Sequence, residues 1–323
     1  MNKRLFLASA VLLAAPTVFA QAAWPTAKPI SIIVPFGAGG SVDATARLLA
    51  DKLGERLKQS VVVDNVSGAG GVIGLTKAAQ AAPDGYTLVM GADSPVAIAP
   101  YANPKAVRYD VARDLAPIGL VNTAPMVLVA RKDLPAGNLA ELVQLAKKEP
   151  GKLSYATSGV GTVLHLAMEL IKQQGQFFAT HVPYRGGAQI ATDVIGGQVD
   201  LAMLVSVSAA PFVQSGKLKA IAVTGAKRLD ILPNVPTVAE TPGFKGYDVV
   251  AWTGLFAPAK TPTPVIEQLN HELNAVLSLP EVRATLQKQG AVAGSGSAQD
   301  FGRFGKAEQQ RYEKAVKTAG IKE

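Results

Sequence analysis

The sequence predicts an α/β protein of two domains, and three observations carry that prediction. Short β-branched runs are followed by a glycine-rich turn and an amphipathic stretch, first over Ile30 to Leu53 and again from Val61. The same alternation starts afresh near Leu153. The 323 residues, less a leader of 20 or 22, are generous for one domain and natural for two.

The first 22 residues read as a secretory signal: Lys3 and Arg4, an apolar run from Leu5 to Ala15, and small residues around Val18-Phe19-Ala20, with cleavage after Ala20 or Ala22. No later stretch approaches the ~20 apolar residues of a membrane-spanning helix. The chain has no cysteine, which excludes disulfides, thiol nucleophiles, Cys-ligated zinc and a lipid-anchored N-terminal Cys. An exported, soluble, freely diffusing protein is expected. Losing Lys3 and Arg4 lowers the net charge from +8 to +6. No dense Lys/Arg block accompanies it, so nucleic acid is not an expected partner, whereas a mild positive field helps attract small anions.

Ile30 to Val34 is short and β-branched, which suits a central strand of a parallel sheet. Pro35 and Gly37 to Gly40 end it. Ser41 or Asp43 can cap the following helix, whose apolar Val42, Ala46, Leu49 and Leu53 recur at helical spacing. Val61 to Val63, then Asn65 to Gly74, repeat the design. Neither turn is a dinucleotide fingerprint, because Val42 and Ile73 stand where the third glycine is required. Each can still aim backbone N–H groups and a helix dipole at a smaller anion, and two such turns side by side at the carboxyl ends of parallel strands form a ligand crevice.

Farther along, Pro83-Asp84-Gly85 turns the chain into strand Tyr86 to Met90, followed by the loop Gly91 to Pro95. Ala116 to Arg131 holds two apolar runs parted by Asn122 to Pro125 and reads as a crossing between domains. Leu139 to Lys148 is an amphipathic helix, Leu153 to Ala156 a strand, and Thr157 to Thr162 a small-residue turn opening a helix over Val163 to Gln173. On it, His165 and Glu169 stand four apart; with no third ligand in context, His165 reads as structural or ligand-lining rather than metal-binding. His181 to Ala188 forms a strand and turn, and further strands fall at Leu201 to Val205 and Leu218 to Thr224. Val249 to Pro258 is a strand returning to the first domain, covered by helices from Pro262 and Pro280. The last helix, Ala298 to Ala319, is strongly charged and is expected to be a solvated face.

Catalysis finds little support. Serine hydrolysis needs a G-x-S-x-G elbow, and Gly39-Gly40-Ser41-Val42-Asp43 lacks the closing glycine. No metal or cofactor is called for.

With PFGAGGSVDATAR, NVSGAGGVIG, SGVGTVLHLAMEL, HVPYRGGAQIATDVIGGQVD and PTVAETPGFKGYDVVAWTGLFAPAKTP in order, the chain resembles the Bug family, the extracytoplasmic solute-binding proteins of tripartite tricarboxylate transporters. The resemblance covers essentially the whole mature chain. It implies a two-lobed periplasmic-binding-protein fold (type II-like), each lobe a mostly parallel sheet flanked by helices. Lobe 1 would comprise residues 23–123 and 247–323, lobe 2 residues 124–246, with crossings near Val121 to Ala124 and Gly246 to Val250.

The resemblance further implies a periplasmic protein that holds a small organic carboxylate through backbone N–H groups and bridging waters, for delivery to two membrane subunits; a monomer is expected, and presentation of the bound carboxylate to a membrane sensor kinase is the rival reading. First-lobe contacts would fall on Phe36, Gly37, Ala38, Gly39, Ser41, Asp43, Asn65, Ala69, Gly70, Gly71 and Ser94. Second-lobe contacts would fall on Thr157, Ser158, Gly161, Thr162, His165, Tyr184, Arg185, Gly186, Gly187 and Ser206. Members often carry Thr-His where this chain has Pro95 and Val96, and a polar residue where it has Leu204-Val205. Both departures make the cleft less polar and point to a ligand with an apolar or aromatic far end.

Overall fold

A computed structural model describes residues 24–321; the expected leader lies outside the described residues. In the first lobe, β1 (Ile30–Val34), α1 (Ser41–Leu57), β2 (Val61–Asn65), α2 (Val72–Ala79) and β3 (Thr87–Ala92) follow one another, and short α3 (Ala99–Ala102) and α4 (Val111–Asp114) lead into the 16-residue β4 (Leu115–Ala130). The second lobe is built from α5 (Leu139–Lys148), β5 (Ser154–Thr157), α6 (Val163–Gly175), β6 (Thr180–Pro183), α7 (Gly187–Ile195), β7 (Leu201–Val205), α8 (Ser206–Gln214) and β8 (Lys219–Val223). The chain then returns through β9 (Val250–Pro258), α9 (Thr263–Ser278), α10 (Pro280–Lys288), the two-residue β10 (Val292–Ala293) and α11 (Ala298–Ala319).

The strands that carry the small-residue turns run parallel, β2-β1-β3 in one lobe and β6-β5-β7 in the other. The crossing strands join antiparallel: β9 lies between β3 and β4, and β4 also pairs with β7 and β8. Each sheet is therefore mixed rather than mostly parallel, because a strand passing from one lobe to the other enters against the direction of its neighbours. β4 changes partners between Pro125, which pairs with Val250, and Met126, which pairs with Val205. Proline has no N–H to extend a ladder, so the change falls where a donor is missing.

Thr224, wholly buried, fastens both crossings. Its hydroxyl accepts the Met126 N–H at 2.8 Å and donates to the Val249 carbonyl at 2.7 Å. Its own N–H and C=O bond to the Met126 carbonyl and the Val249 N–H.

Two further expectations need correction. The N-cap of α1 is Gly40, without a side-chain cap. Asp43 instead reaches back past it to the Gly39 N–H at 2.9 Å, because the tight glycine turn folds that amide over the first helical turn. The last helix is also more than a solvated face. In α11, Phe301, Tyr312 and Val316 are buried, and Phe301 and Phe304 pack edge-on against Trp252 of β9. The helix touches both lobes: Gln309 donates to the Val96 carbonyl, and Gln173 of α6 donates to the Thr318 carbonyl. Charges fill its other faces and dominate its composition, which hides the apolar stripe.

Candidate functional site

Between the lobes lies a cavity on which four helix N-termini converge. Gly40, Ser41 and Val42 bring α1; Val163 and Leu164 bring α6; Gly186 and Gly187 bring α7; Val205 and Val207 bring α8. Each N-terminus carries N–H groups with no partner inside its helix and the positive end of the dipole, about half an elementary charge. Centres of water-sized molecules have about 60 Å³ to occupy, several times the roughly 10–15 Å³ that one buried water needs. The space suits a small organic ion better than a single water.

Among the described residues no Lys, Arg or His lines this cavity, and the one ionisable residue in the lining is Asp93. What positive charge this lining offers an anion is therefore that of peptide dipoles. The walls are largely apolar, from Ala92, Ala124, Leu204, Val205 and Trp252. The floor holds a polar ladder in which Thr253 donates to Asn122 at 2.9 Å and Asn122 donates to Thr45 at 3.3 Å.

Asp93 is buried at the end of β3. Its carboxylate accepts the Trp252 N–H at 3.0 Å and both the N–H and the hydroxyl of Ser94, at 2.6 and 2.9 Å. Burial pushes its carboxyl up to about 7, since the hydrogen bonds offset only part of the lost hydration and Glu308 of α11 adds repulsion. The Trp252 indole N–H has no hydrogen-bond partner among the described residues.

A second chamber of about 220 Å³ adjoins the first and shares Phe36 and Ser158 with it. It is lined by 68–71 from the first lobe and by 158–160 and 183–185 from the second. Here the lobes meet backbone to backbone: a Cβ on Gly70 would stand 3.3 Å from the Val160 carbonyl, and one on Gly186 would stand 3.5 Å from the Gly37 Cα.

Of the residues singled out from the sequence, Phe36, Ser41, Ser94, Ser158, Gly186 and Gly187 line the inner cavity. Ala69, Gly70, Gly71, Tyr184 and Arg185 line the outer chamber. The others line neither. Gly37 donates to the Arg185 carbonyl at 3.4 Å, and the Gly39 amide is taken by Asp43. Ala38 lies in the same turn, outside both linings. Asp43 and Asn65 brace that turn from behind. Burial raises the Asp43 carboxyl, but bonds from Arg47, Gly39 and Asn65 outweigh it and hold it below the usual carboxylate range. Ser206 turns to the Gly290 carbonyl at 3.2 Å.

Thr157 ends β5, Gly161 and Thr162 lie in the loop that follows, and His165 is in the first turn of α6. Thr162 caps α6 and donates to the Gly159 carbonyl, and His165 Nδ1 accepts the Gly161 N–H at 3.2 Å. His165 therefore holds the loop from behind. Its ring stacks on His181 at 4.1 Å between centroids, and His181 meets Thr157 Oγ1 at 2.7 Å. Burial, with His165 beside it, pushes His181 down to about 4. Glu169 is engaged by Lys172 at 2.6 Å and by the Tyr155 hydroxyl.

Sequence reasoning missed Asp93, Asn122, Trp252 and Thr253. A signal existed for two of them. Asn122 and Thr253 are polar residues set in otherwise apolar strand segments, and they fall opposite each other in the β4–β9 register. Buried polar groups need partners, so such a pair marks a site or a ladder.

Comparison with known proteins agrees with this geometry. A family model described as "Tripartite tricarboxylate transporter family receptor" matches residues 45–321. BugT of Bordetella pertussis is 34% identical over 297 residues, covering 92% of this chain and 90% of BugT. Among solved structures, R. palustris Rpa4515 with adipate superposes with a TM-score of 0.89 at 36% identity, covering 93% of this chain and 99% of that one. The periplasmic binding protein BugD gives 0.87 at 35%, covering 92% and 99%. MatC from Rhodopseudomonas palustris with bound malate gives 0.85 at 32%, covering 90% and 99%.

Proposed function

Because the chain belongs to the tripartite tricarboxylate transporter receptor family, whose members are periplasmic solute-binding proteins, we propose that it captures one small organic carboxylate between its lobes and delivers it, unchanged, to the membrane subunits of such a transporter. The observation that carries this reading is the convergence of four helix N-termini on a cavity to which the described residues bring no cationic side chain. Hydrogen bonds to a charged group contribute about 1.5–3 kcal/mol each, so a few of them support micromolar binding, about −8 kcal/mol, after the costs of association.

The ligand's carboxylate sits among the helix N-termini and its other end is apolar or aromatic. Leu204, Val205 and Trp252 offer a second carboxylate no compensating charge. In this reading residues 23–123 with 247–323 act as one lobe and 124–246 as the other, the leader is removed on export, and the protein works as a monomer.

Calorimetry with benzoate-type monocarboxylates and C4 to C6 dicarboxylates tests it. Micromolar binding of a monocarboxylate with an apolar end is expected, at least tenfold tighter than adipate or malate, with the ligand recovered unchanged. Exclusive binding of malate or citrate would overturn the apolar-end reading. A chemically altered ligand would overturn the receptor reading itself.

A further inference from the structure

Ser94 is a lining residue whose hydroxyl is already engaged on both sides. It donates to Asp93 at 2.9 Å within the first lobe, and it accepts the Val163 N–H at 3.1 Å from the second. Val163 is the first residue of α6, where the dipole is most positive and the N–H has no acceptor inside the helix. The three groups form a chain. Asp93, held by the Trp252 N–H at 3.0 Å, draws the hydroxyl proton of Ser94 toward itself, which leaves an oxygen lone pair for α6.

We propose that Asp93, Ser94 and the Val163 N–H form a latch that closes the two lobes on each other through the protein's own groups. The Asp93–Ser94 pair presents to α6 what an anionic ligand would present: an oxygen acceptor, here one whose own proton is already committed to the Asp93 carboxyl. Asp93 is a positioning residue, acting through the orientation of the Ser94 hydroxyl. Surrounding contacts fit the role. Ser94 lies in a π-helical turn over 94–98 whose Pro95 carbonyl is held by the Tyr109 hydroxyl at 2.6 Å, so the latch stands on a braced support. The glycine-lined approach of Gly37 to Arg185 and Gly186 lets the backbones come close enough for the bond to form.

The structure supplies a clean way to remove each half. Ser94→Ala deletes the acceptor. Val163→Pro deletes the donor at the first position of a helix, where proline is well tolerated. Thr162 before it has φ −82° and ψ 163°, the extended conformation that a following proline requires. The chain has no cysteine, so Asp51→Cys and Lys148→Cys, both exposed and one on each lobe, take a fluorophore pair that reads lobe separation in protein refolded and dialysed free of small molecules. Thermal unfolding checks that each variant is folded.

In the absence of any carboxylate, the wild type is expected to populate the closed separation. Each single variant should raise the open-to-closed ratio roughly five- to tenfold, the effect of one lost hydrogen bond, and the double variant should add little to either. Amide exchange over 162–166 should quicken in parallel in Ser94→Ala. A wild type as open as the variants, or single effects that simply add, would overturn the latch. Failure of carboxylates to bind would overturn the proposed function instead, because the latch is read without ligand.

Discussion

Asp93 is buried beside the cavity and His181 is half-buried behind the second-lobe loop, and lost hydration drives their titrations in opposite directions. The Asp93 carboxyl goes from an ordinary 3.8 up to about 7, so the folded protein holds a proton there that the unfolded chain releases, and stability from Asp93 falls as pH rises from 3.8 to 7. His181 goes from 6.5 down to about 4, so stability from it is complete above 6.5 and falls as pH drops toward 4. Between pH 4 and 6.5 the two slopes oppose each other. Urea unfolding at pH 4.5 and 6.5 should therefore find the wild type nearly level. Asp93→Asn should become acid-sensitive and His181→Gln alkali-sensitive, each by up to about 1.4 kcal/mol per pH unit, the limit for one proton. Neither role was legible from sequence. Asp93 sits in a stretch that reads as an ordinary loop, and burial by α11, some 200 positions away, is a tertiary fact. The glycines, by contrast, were readable as turns. Which of their amides remain free was not, because that depends on Asp43 reaching back to Gly39 and on Arg185 approaching from the other lobe.

At the scale of elements, strands and helices followed closely from short β-branched runs, glycine turns and proline starts, since these are local signals. α11 was the exception. Its helix was legible but its packing was not, because four inward residues, Phe301, Phe304, Tyr312 and Val316, are outnumbered by charges on the other faces. Phe301 lies directly over Gly254 of β9, where an added Cβ would meet the ring at 2.0 Å. It also packs on Phe256 at 4.9 Å between centroids. Phe301→Ala should cost about 3–5 kcal/mol in chemical denaturation, the range for a large aromatic removed from a tight site. A cost below about 1 kcal/mol, the scale of a surface substitution, would return α11 to the role of a solvated cover.

For the molecule as a whole, the two-lobed plan was visible in the restart of the strand series near Leu153 and in the polar break Asn122 to Pro125. The mixed sheets were not, because strand direction depends on how the crossings re-enter. Closure depends on small residues at the seam. Gly186 has φ −176°, an extended conformation open to any residue, so a larger side chain there meets the opposite lobe without straining its own backbone. Gly186→Leu should leave the thermal midpoint within about 2 °C of wild type, as expected for a change of a few tenths of a kcal/mol, yet weaken carboxylate affinity in calorimetry at least tenfold. Unchanged affinity would remove the seam from the site. One last feature bears on how such halves can move. With both crossing strands fastened to the single hydroxyl of Thr224, neither slides lengthwise past the other. The freedom left is a swing about that post, as of a door on one pin, with shear suppressed.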